Sequence, residues 1–239
     1  MKYSALVPVK SLALAKSRLA SHLSQHQRET LVLDMLQHVV HTLCESEVFE
    51  QVYVVSADAH VLELALHWGA EALRETQPGH NPALQAAALT IMERAAWRDG
   101  LYVPWLTLSQ RADFQQMPAE PALHMLRDEA LLTISADLPL INPADILDMA
   151  RQAERYQVVL ASSEDGTGTN ALLVRPPLAL PYLFGVNSLP TYLHAASTRQ
   201  MSSMLYRNAH LAFDVDTPAD FQQLEQTERA WSALASSAV

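Results

Sequence analysis

Three aspartates stand where the sequence pattern expects strands to end. Asp137 follows the apolar run "ALLTISA" (Ala130–Ala136), and Asp214 and Asp216 alternate with Phe213 and Val215 in "LAFDVDTP". Read as a strand, that alternation puts the two acids on one face, about 7 Å apart at a rise of ~3.3 Å per residue. Carboxylates converging at a sheet edge repel one another, so they resist ionising together unless a cation joins them. Their oxygens suit a hard ion such as Mg2+, which keeps waters and shares itself with substrate phosphates. Asp216 has a second reading, because "DTPAD" also offers an N-cap, a proline at the first helical position and an acid in the first turn.

The cations are placed as unevenly. All three lysines (Lys2, Lys10 and Lys16) fall in the first 16 residues, whereas thirteen arginines are spread along the chain. In "VPVKSLALAKSRLA", Lys10 follows the first strand in a loop expected to open a helix, where the dipole and unpaired N–H groups favour phosphate. Lys16 and Arg18 lie about 200° apart on an ideal helix, so they meet one phosphate only if the loop wraps around it. The alternative is an amphipathic helix that buries Leu12, Ala15 and Leu19 and leaves its cations in solvent. Beside an acid cluster that takes Mg2+, the stretch reads as the positive half of a triphosphate site.

Glycine is scarce. Of six, Gly166 and Gly168 lie in "EDGTGTN", Gly79 precedes "HNPALQAA" and Gly185 sits in "FGVNS". Such clustering marks turns with positive φ, or backbone that approaches a ligand. "DGTGT" would make a hairpin turn or offer amides and hydroxyls to an oxyanion. Asn187 or Ser188 opens a helix, either as a plain cap or as an anion site.

The elements that must position these residues alternate between strand and helix. Ser4–Val9, Gln51–Ala57, Ala130–Ala136, "QVVLAS", "NALLVR" and finally "NAHLAFDVD" are expected strands, with "AEALRE" a weaker one. Helices are expected over Gln27–Cys44, Ala59–Trp68, from the "DLPLINPADI" stretch to about Tyr156, and over Thr217–Ala235. Another begins at Asn81–Pro82, with Asn81 as N-cap. Continuous apolar strands alternating with helices predict one α/β domain over residues 1–239, a mostly parallel sheet with helices on both faces. Ligands then sit beyond the carboxyl ends of the strands. From about 100 to 129 the alternation lapses around Pro104, Pro118 and Pro121. This is an irregular insertion with one short helix near Ala122–Arg127, a packed excursion or a lid carried by Trp105 and Phe114.

Composition bounds the function. With 49% hydrophobic and 18% charged residues among 239 the chain can bury a core, and a net charge of −10 leaves no basic tract for nucleic acid or acidic membranes. No apolar run is long enough for a membrane span or a signal peptide. The lone Cys44 reads as a buried structural thiol, and a reducing, cytoplasmic setting follows.

Taken in order, "VPVKSLALAKSRLA", "GHNPALQAA", "SADLPL", "DGTGTNALLVRPP", "FGVNS" and "DVDTPAD" resemble the CofC-type phospholactate guanylyltransferases. The resemblance spans most of the chain outside 100–129. It implies a Rossmann-like, GT-A-like nucleotidyltransferase that moves GMP from GTP onto 2-phospho-L-lactate, phosphoenolpyruvate or 3-phospho-D-glycerate, in the making of the deazaflavin coenzyme F-420. The labile product would pass to a downstream transferase, and a homodimer would be the working form. By that resemblance Lys10, Lys16 and Arg18 hold the GTP phosphates, with Lys10, Lys16 and Asp137 catalytic. Asn81 and its loop meet the nucleoside, Asp137, Asp214 and Asp216 bind Mg2+, and Thr169, Gly185 and Ser188 cradle the acid. His80 stands where the family usually has Leu, and Val186–Asn187 replaces its usual Pro-Gly. A polar Asn187 leans the acceptor toward 3-phospho-D-glycerate. Molybdopterin guanylyl transfer fits less well, because no glycine-rich loop follows the first strand. A sugar-nucleotide pyrophosphorylase is disfavoured by the "DGTGTN" and "FGVNS" pair, and a non-catalytic nucleotide-binding relative by the intact acids and lysines.

Overall fold

The computed structural model describes residues 1–100 and 126–237, with side chains to residue 227. Along the chain run β1 (Lys2–Val9), α1 (Gln25–Glu45), β2 (Gln51–Ser56), α2 (Ala59–His67), β3 (Glu71–Arg74) and α3 (His80–Arg98). Then come β4 (Glu129–Ile134), α4 (Pro143–Ala153), β5 (Val158–Ser162), β6 (Thr169–Val174), α5 (Ser188–Thr198), β7 (Ser203–Leu205), α6 (Ala209–Ala212) and α7 (Pro218–Ser237). Most of the expected insertion at 100–129, with Trp105 and Phe114, lies outside the described residues. Its end is a turn that leads into β4.

The seven strands are ordered β3-β2-β1-β4-β6-β5-β7, and only β6 runs antiparallel to its neighbours. Alternate residues of each strand feed opposite layers, as the pleat demands. Ala5, Val7, Val9, Val54, Leu132 and Ile134 pack on one side with Leu36, Val39 and Leu43 of α1 and Met149 of α4. Leu6, Tyr53, Val55, Leu73 and Leu131 pack on the other with Leu84, Ala88, Ile91 and Met92 of α3. This is the expected α/β sheet, covered on both faces. Because β2 and β4 flank β1 on opposite sides, the connections from β1 diverge there, and a crevice opens at the carboxyl ends of β1 and β4.

Several local expectations are corrected. The segment "NAHLAFDVD" is not a strand. Asn208 caps a single helical turn, α6, by accepting from the amides of His210 and Leu211 at 2.8 and 3.0 Å, and residues 213–216 then run as an unpaired segment. The last strand is instead β7, at the sheet edge beside β5. The stretch after β1 is not a helix either but two 3-10 turns, Leu12–Leu14 and Ser17–Leu19. Asn81 is not an N-cap: α3 starts two residues earlier than that expectation, at His80, with Gly79 at φ 95° as the N-cap. Cys44 is exposed on the last turn of α1 rather than buried.

The "DGTGT" stretch is the hairpin turn between β5 and β6, and the Asp165 and Thr167 side chains are engaged within it. Asp165 accepts from the Thr167 amide at 2.9 Å, the Thr167 hydroxyl at 2.7 Å and the Ser163 hydroxyl at 2.6 Å, while Ser163 Oγ accepts from the Gly168 amide at 2.8 Å. These donors, led by Ser163, hold the Asp165 carboxyl well below the usual carboxylate range. A methyl group on residue 168 would lie 2.6 Å from Ser163 Oγ. Gly168→Ala should therefore cost about 1–3 kcal/mol in urea unfolding. The Ser163→Ala/Gly168→Ala double mutant should lose less than the sum of the single mutants, because the clash is shared.

Candidate active site

The cleft at the carboxyl ends of β1 and β4 has a volume of about 470 Å3 and takes in Lys10, Lys16, Arg18, Asp137, Asp214 and Asp216. Six of the residues singled out in the sequence thus meet in one place, although their segments lie far apart along the chain. Asp137 stands three residues past the end of β4. Phe213 and Val215 are buried, packed with Met35 and Leu224, which turns Asp214 and Asp216 the other way. The alternation that suggested a strand therefore works without one. The Val215 amide donates to the Asp137 carbonyl at 3.4 Å, which joins the two acid-bearing segments.

Helix capping leaves Asp216 free. Asp220 accepts from the Asp216 and Thr217 amides at 2.9 and 2.7 Å, and Thr217 Oγ1 accepts from the Asp220 amide at 3.4 Å. The reciprocal cap at the start of α7 is thus Thr217 with Asp220. The Asp216 side chain instead accepts from Lys16 Nζ at 2.8 Å and from Arg18 at 3.4 Å. Lys16 also binds Asp137.

Lys16 holds a left-handed backbone, φ 45° and ψ 46°, between the two 3-10 turns. For a residue with a Cβ this costs roughly 1–2 kcal/mol. The kink is what lets the loop wrap, so that Lys16 and Arg18 both reach Asp216 despite their spacing. Leu12 and Leu19 are buried and anchor the loop. Asp58 accepts from the Leu12 amide at 3.3 Å, and Arg28 of α1 donates to the carbonyls of Ala15 and Leu23 at 3.3 and 2.8 Å.

Charge dominates the centre. One oxygen from each of Asp137, Asp214 and Asp216 lies within 4.8 Å of the others. Two like charges at that distance repel by roughly 3–4 kcal/mol at an effective dielectric near 20. Burial, aided by Asp137 and Asp216, pushes Asp214 up to about 6 despite an opposing hydrogen bond from Asn170. Burial works against the charge on Lys16 too, but Asp137 and Asp216 outweigh it and its pKa rises. Burial works to raise Asp216, but Lys16, joined by Arg18 and Lys10, outweighs it and the group shifts down. An all-oxygen set of three acids, converging and only partly neutralised, fits a hard divalent cation.

Asn170, which sequence reasoning passed over as a strand residue, is the second support of the centre. Buried at the start of β6, it donates to Asp214 Oδ1 at 3.1 Å and to the carbonyls of Leu211 and Ala212 at 3.1 and 3.2 Å. A polar residue inside an otherwise apolar, fully buried strand was the available signal.

The remaining expected residues lie outside the cleft lining. Asn81 faces the adjoining loop, where its carboxamide accepts from the Phe184 amide at 3.0 Å and donates to the Phe184 carbonyl at 2.9 Å. Phe184 does line the cleft, stacked edge-on against His80 with ring centroids 5.7 Å apart. Thr169 and Ser188 are buried and bonded to each other, Oγ to Oγ1 at 3.1 Å. Gly185 has φ 138° and Asn187 φ 55°, so the loop before α5 makes two left-handed turns.

The sheet order and its covered faces recur in a solved structure of distant sequence. A nucleotide-diphospho-sugar transferase candidate from Desulfovibrio desulfuricans G20 superposes with a TM-score of 0.67 at 14% identity, covering 95% of this chain and 88% of its own. The sequence profile described as "Guanylyl transferase CofC like" matches residues 3–96 and 115–226, and the chain belongs to that family. A phosphoenolpyruvate guanylyltransferase of Rubrobacter xylanophilus is 36% identical over 94% of both chains. A 2-phospho-L-lactate guanylyltransferase of Methanothermobacter thermautotrophicus is 33% identical over 94% of this chain and 84% of its own. A 3-phospho-D-glycerate guanylyltransferase of Colwellia psychrerythraea is 28% identical over 94% and 91%. No helix among the described residues is long and apolar enough to cross a membrane.

If the three acids hold Mg2+ and Asn170 aims Asp214, the loss of Asn170 is felt at the cation. Asn170→Ala should weaken Mg2+ binding about 10–100-fold by calorimetric titration. Asp34→Ala, on an exposed face of α1, should leave that affinity unchanged.

Proposed function

We propose that the protein transfers GMP from GTP to the phosphate of a small phosphorylated three-carbon acid, with release of pyrophosphate. The observation that carries this is the single cleft in which Asp137, Asp214 and Asp216 face a cationic loop. The names of the relatives supply guanylyl as the group transferred and the acids as acceptors.

The reaction needs no protein nucleophile. A phosphate oxygen of the acid attacks the α-phosphorus of GTP in line, the bond to the bridging oxygen breaks, and the electron pair leaves with pyrophosphate. The protein's part is positioning and charge stabilisation. Asp137, Asp214 and Asp216 would hold Mg2+, which when bound supplies positive charge to the phosphates. Lys10 makes no hydrogen bond or ion pair among the described residues and is exposed, so its ammonium is free for the triphosphate. Arg18 is largely exposed at the rim and joins it. Lys16 stands between acids and phosphates, its charge kept by the two carboxylates it binds.

Asn81 serves the nucleoside side indirectly, by fixing Phe184 and the loop around it. Thr169, Gly185 and Ser188 shape the turn before α5 that would wall the acid. Asn187 is not among the residues that line the cleft, and its left-handed backbone alone favours Asn or Gly there. The proposal therefore covers the three-carbon acid class, of which 3-phospho-D-glycerate, 2-phospho-L-lactate and phosphoenolpyruvate are the members to test. By the family resemblance the product is a precursor of coenzyme F-420, passed on to a downstream transferase. On the same footing the protein works as a homodimer, and its lone cysteine supports a cytoplasmic setting.

Incubation with GTP, Mg2+ and each acid, read by product mass, should give a guanylylated acid for at least one of them. Asp137→Ala and Asp214→Ala should each lower turnover by more than about 100-fold while circular dichroism and the melting temperature stay near wild type. Normal GMP transfer by either variant would refute the assignment of the acids.

A further inference from the structure

A second hollow, of about 180 Å3, adjoins the main cleft, and Pro8, Val9, Lys10 and His80 line both. A ligand whose phosphates lie at Lys10 has this hollow directly beside it. Its sides are Val9, Val55, Ala83 and Leu84, each nearly or fully buried, which makes a narrow apolar slot suited to a flat ring. One acid reaches this slot. Glu75 follows β3, and its backbone amide donates to the Ser56 carbonyl at 3.0 Å, which holds its backbone against the end of β2.

The half-buried Glu75 carboxylate makes no hydrogen bond or ion pair among the described residues. Asp58, at the neighbouring strand end, is by contrast spent on the amides of Leu12 and His60. An ionised carboxylate only accepts hydrogen bonds, through two oxygens side by side. The base that answers it must present two adjacent donors. Guanine does, with N1–H and the N2 amino group. Adenine and cytosine set a ring acceptor beside their amino group, and uracil flanks its single N–H with two carbonyls.

We propose that Glu75 reads the guanine base, accepting from N1–H and N2–H in the slot between β2 and α3, and is thereby the residue that selects GTP. This rests on the guanylyl-transfer reading for the presence of a nucleotide, and adds to it the group that chooses the base.

The test compares GTP with ITP, which differs only by lacking the N2 amino group, in equilibrium binding to the full chain with Mg2+. Wild type should bind GTP at least about tenfold tighter, as expected for one hydrogen bond to a charged acceptor. In Glu75→Gln the ratio should fall toward one, because an amide pairs equally well with the N1–H and O6 that both bases share. Glu75→Asp keeps two acceptor oxygens, so it should still prefer GTP at lower affinity. Melting temperatures near wild type exclude misfolding as the cause. An unchanged ratio in Glu75→Gln, or equal binding of the two nucleotides by wild type, would overturn the assignment. Tight, GTP-selective binding with no transfer to any of the three acids would sink the acceptor chemistry and leave Glu75 standing.

Discussion

The molecule is organised around an electrostatic constraint: three partly buried carboxylates must share a small volume. Left alone, their repulsion would drive protons onto them or spread the segments apart. Lys16 counters both at Asp137 and Asp216 by binding them from within, at the cost of a left-handed backbone in a residue other than glycine, while Asp214 is still pushed up. Strained backbone of this kind persists only where its surroundings over-determine it. Here the surroundings are two buried leucines, two ion pairs, and the hydrogen bonds that Arg28 and Asp58 make to the same loop.

That centre needs a frame which does not drift, and the order of the strands provides it. β1 and β4 are parallel neighbours buried on both faces, so the loops leaving them start from fixed points. The acids of the third segment are brought in by burial of Phe213 and Val215, and by the Val215 amide on the Asp137 carbonyl, rather than by strand pairing. Asn170 closes the arrangement from β6. Its three hydrogen bonds tie Asp214 and the end of α6 to the antiparallel strand beside β4. One apolar frame and a few buried polar ties thus convert distant parts of the chain into a site with an anionic floor and a cationic wall.

On the proposed reading, the wall and the floor also divide the labour of binding a nucleotide. Lys10 stands at the junction of the main cleft and the slot, where a triphosphate and its base would part company. Polar groups are few in the slot and many in the cleft, as expected where a flat ring is enclosed on one side and charge is developed on the other.

Much of this was legible before folding. Runs such as "ALLTI" and "VYVV" are apolar at nearly every position, as a sheet buried on both faces requires, and the helices between them follow from apolar spacing. The residue types that could do the chemistry were legible too, because uncommon lysines and strand-end acids stand out against the background. What the sequence could not say is where the loops turn. "NAHLAFDVD" alternates like a strand, yet its alternation serves a small core under α7. Lys16 and Arg18 look incompatible on a helix, and they converge because the backbone reverses its hand at Lys16. Asn81 and Asn170 are ordinary polar residues until their partners, 103 and 44 residues away, are in place. Periodicity and residue chemistry are local properties, and the chain carries them in one dimension. Which side chain neutralises, caps or aims another is decided by contacts between distant segments, and only tertiary packing creates those.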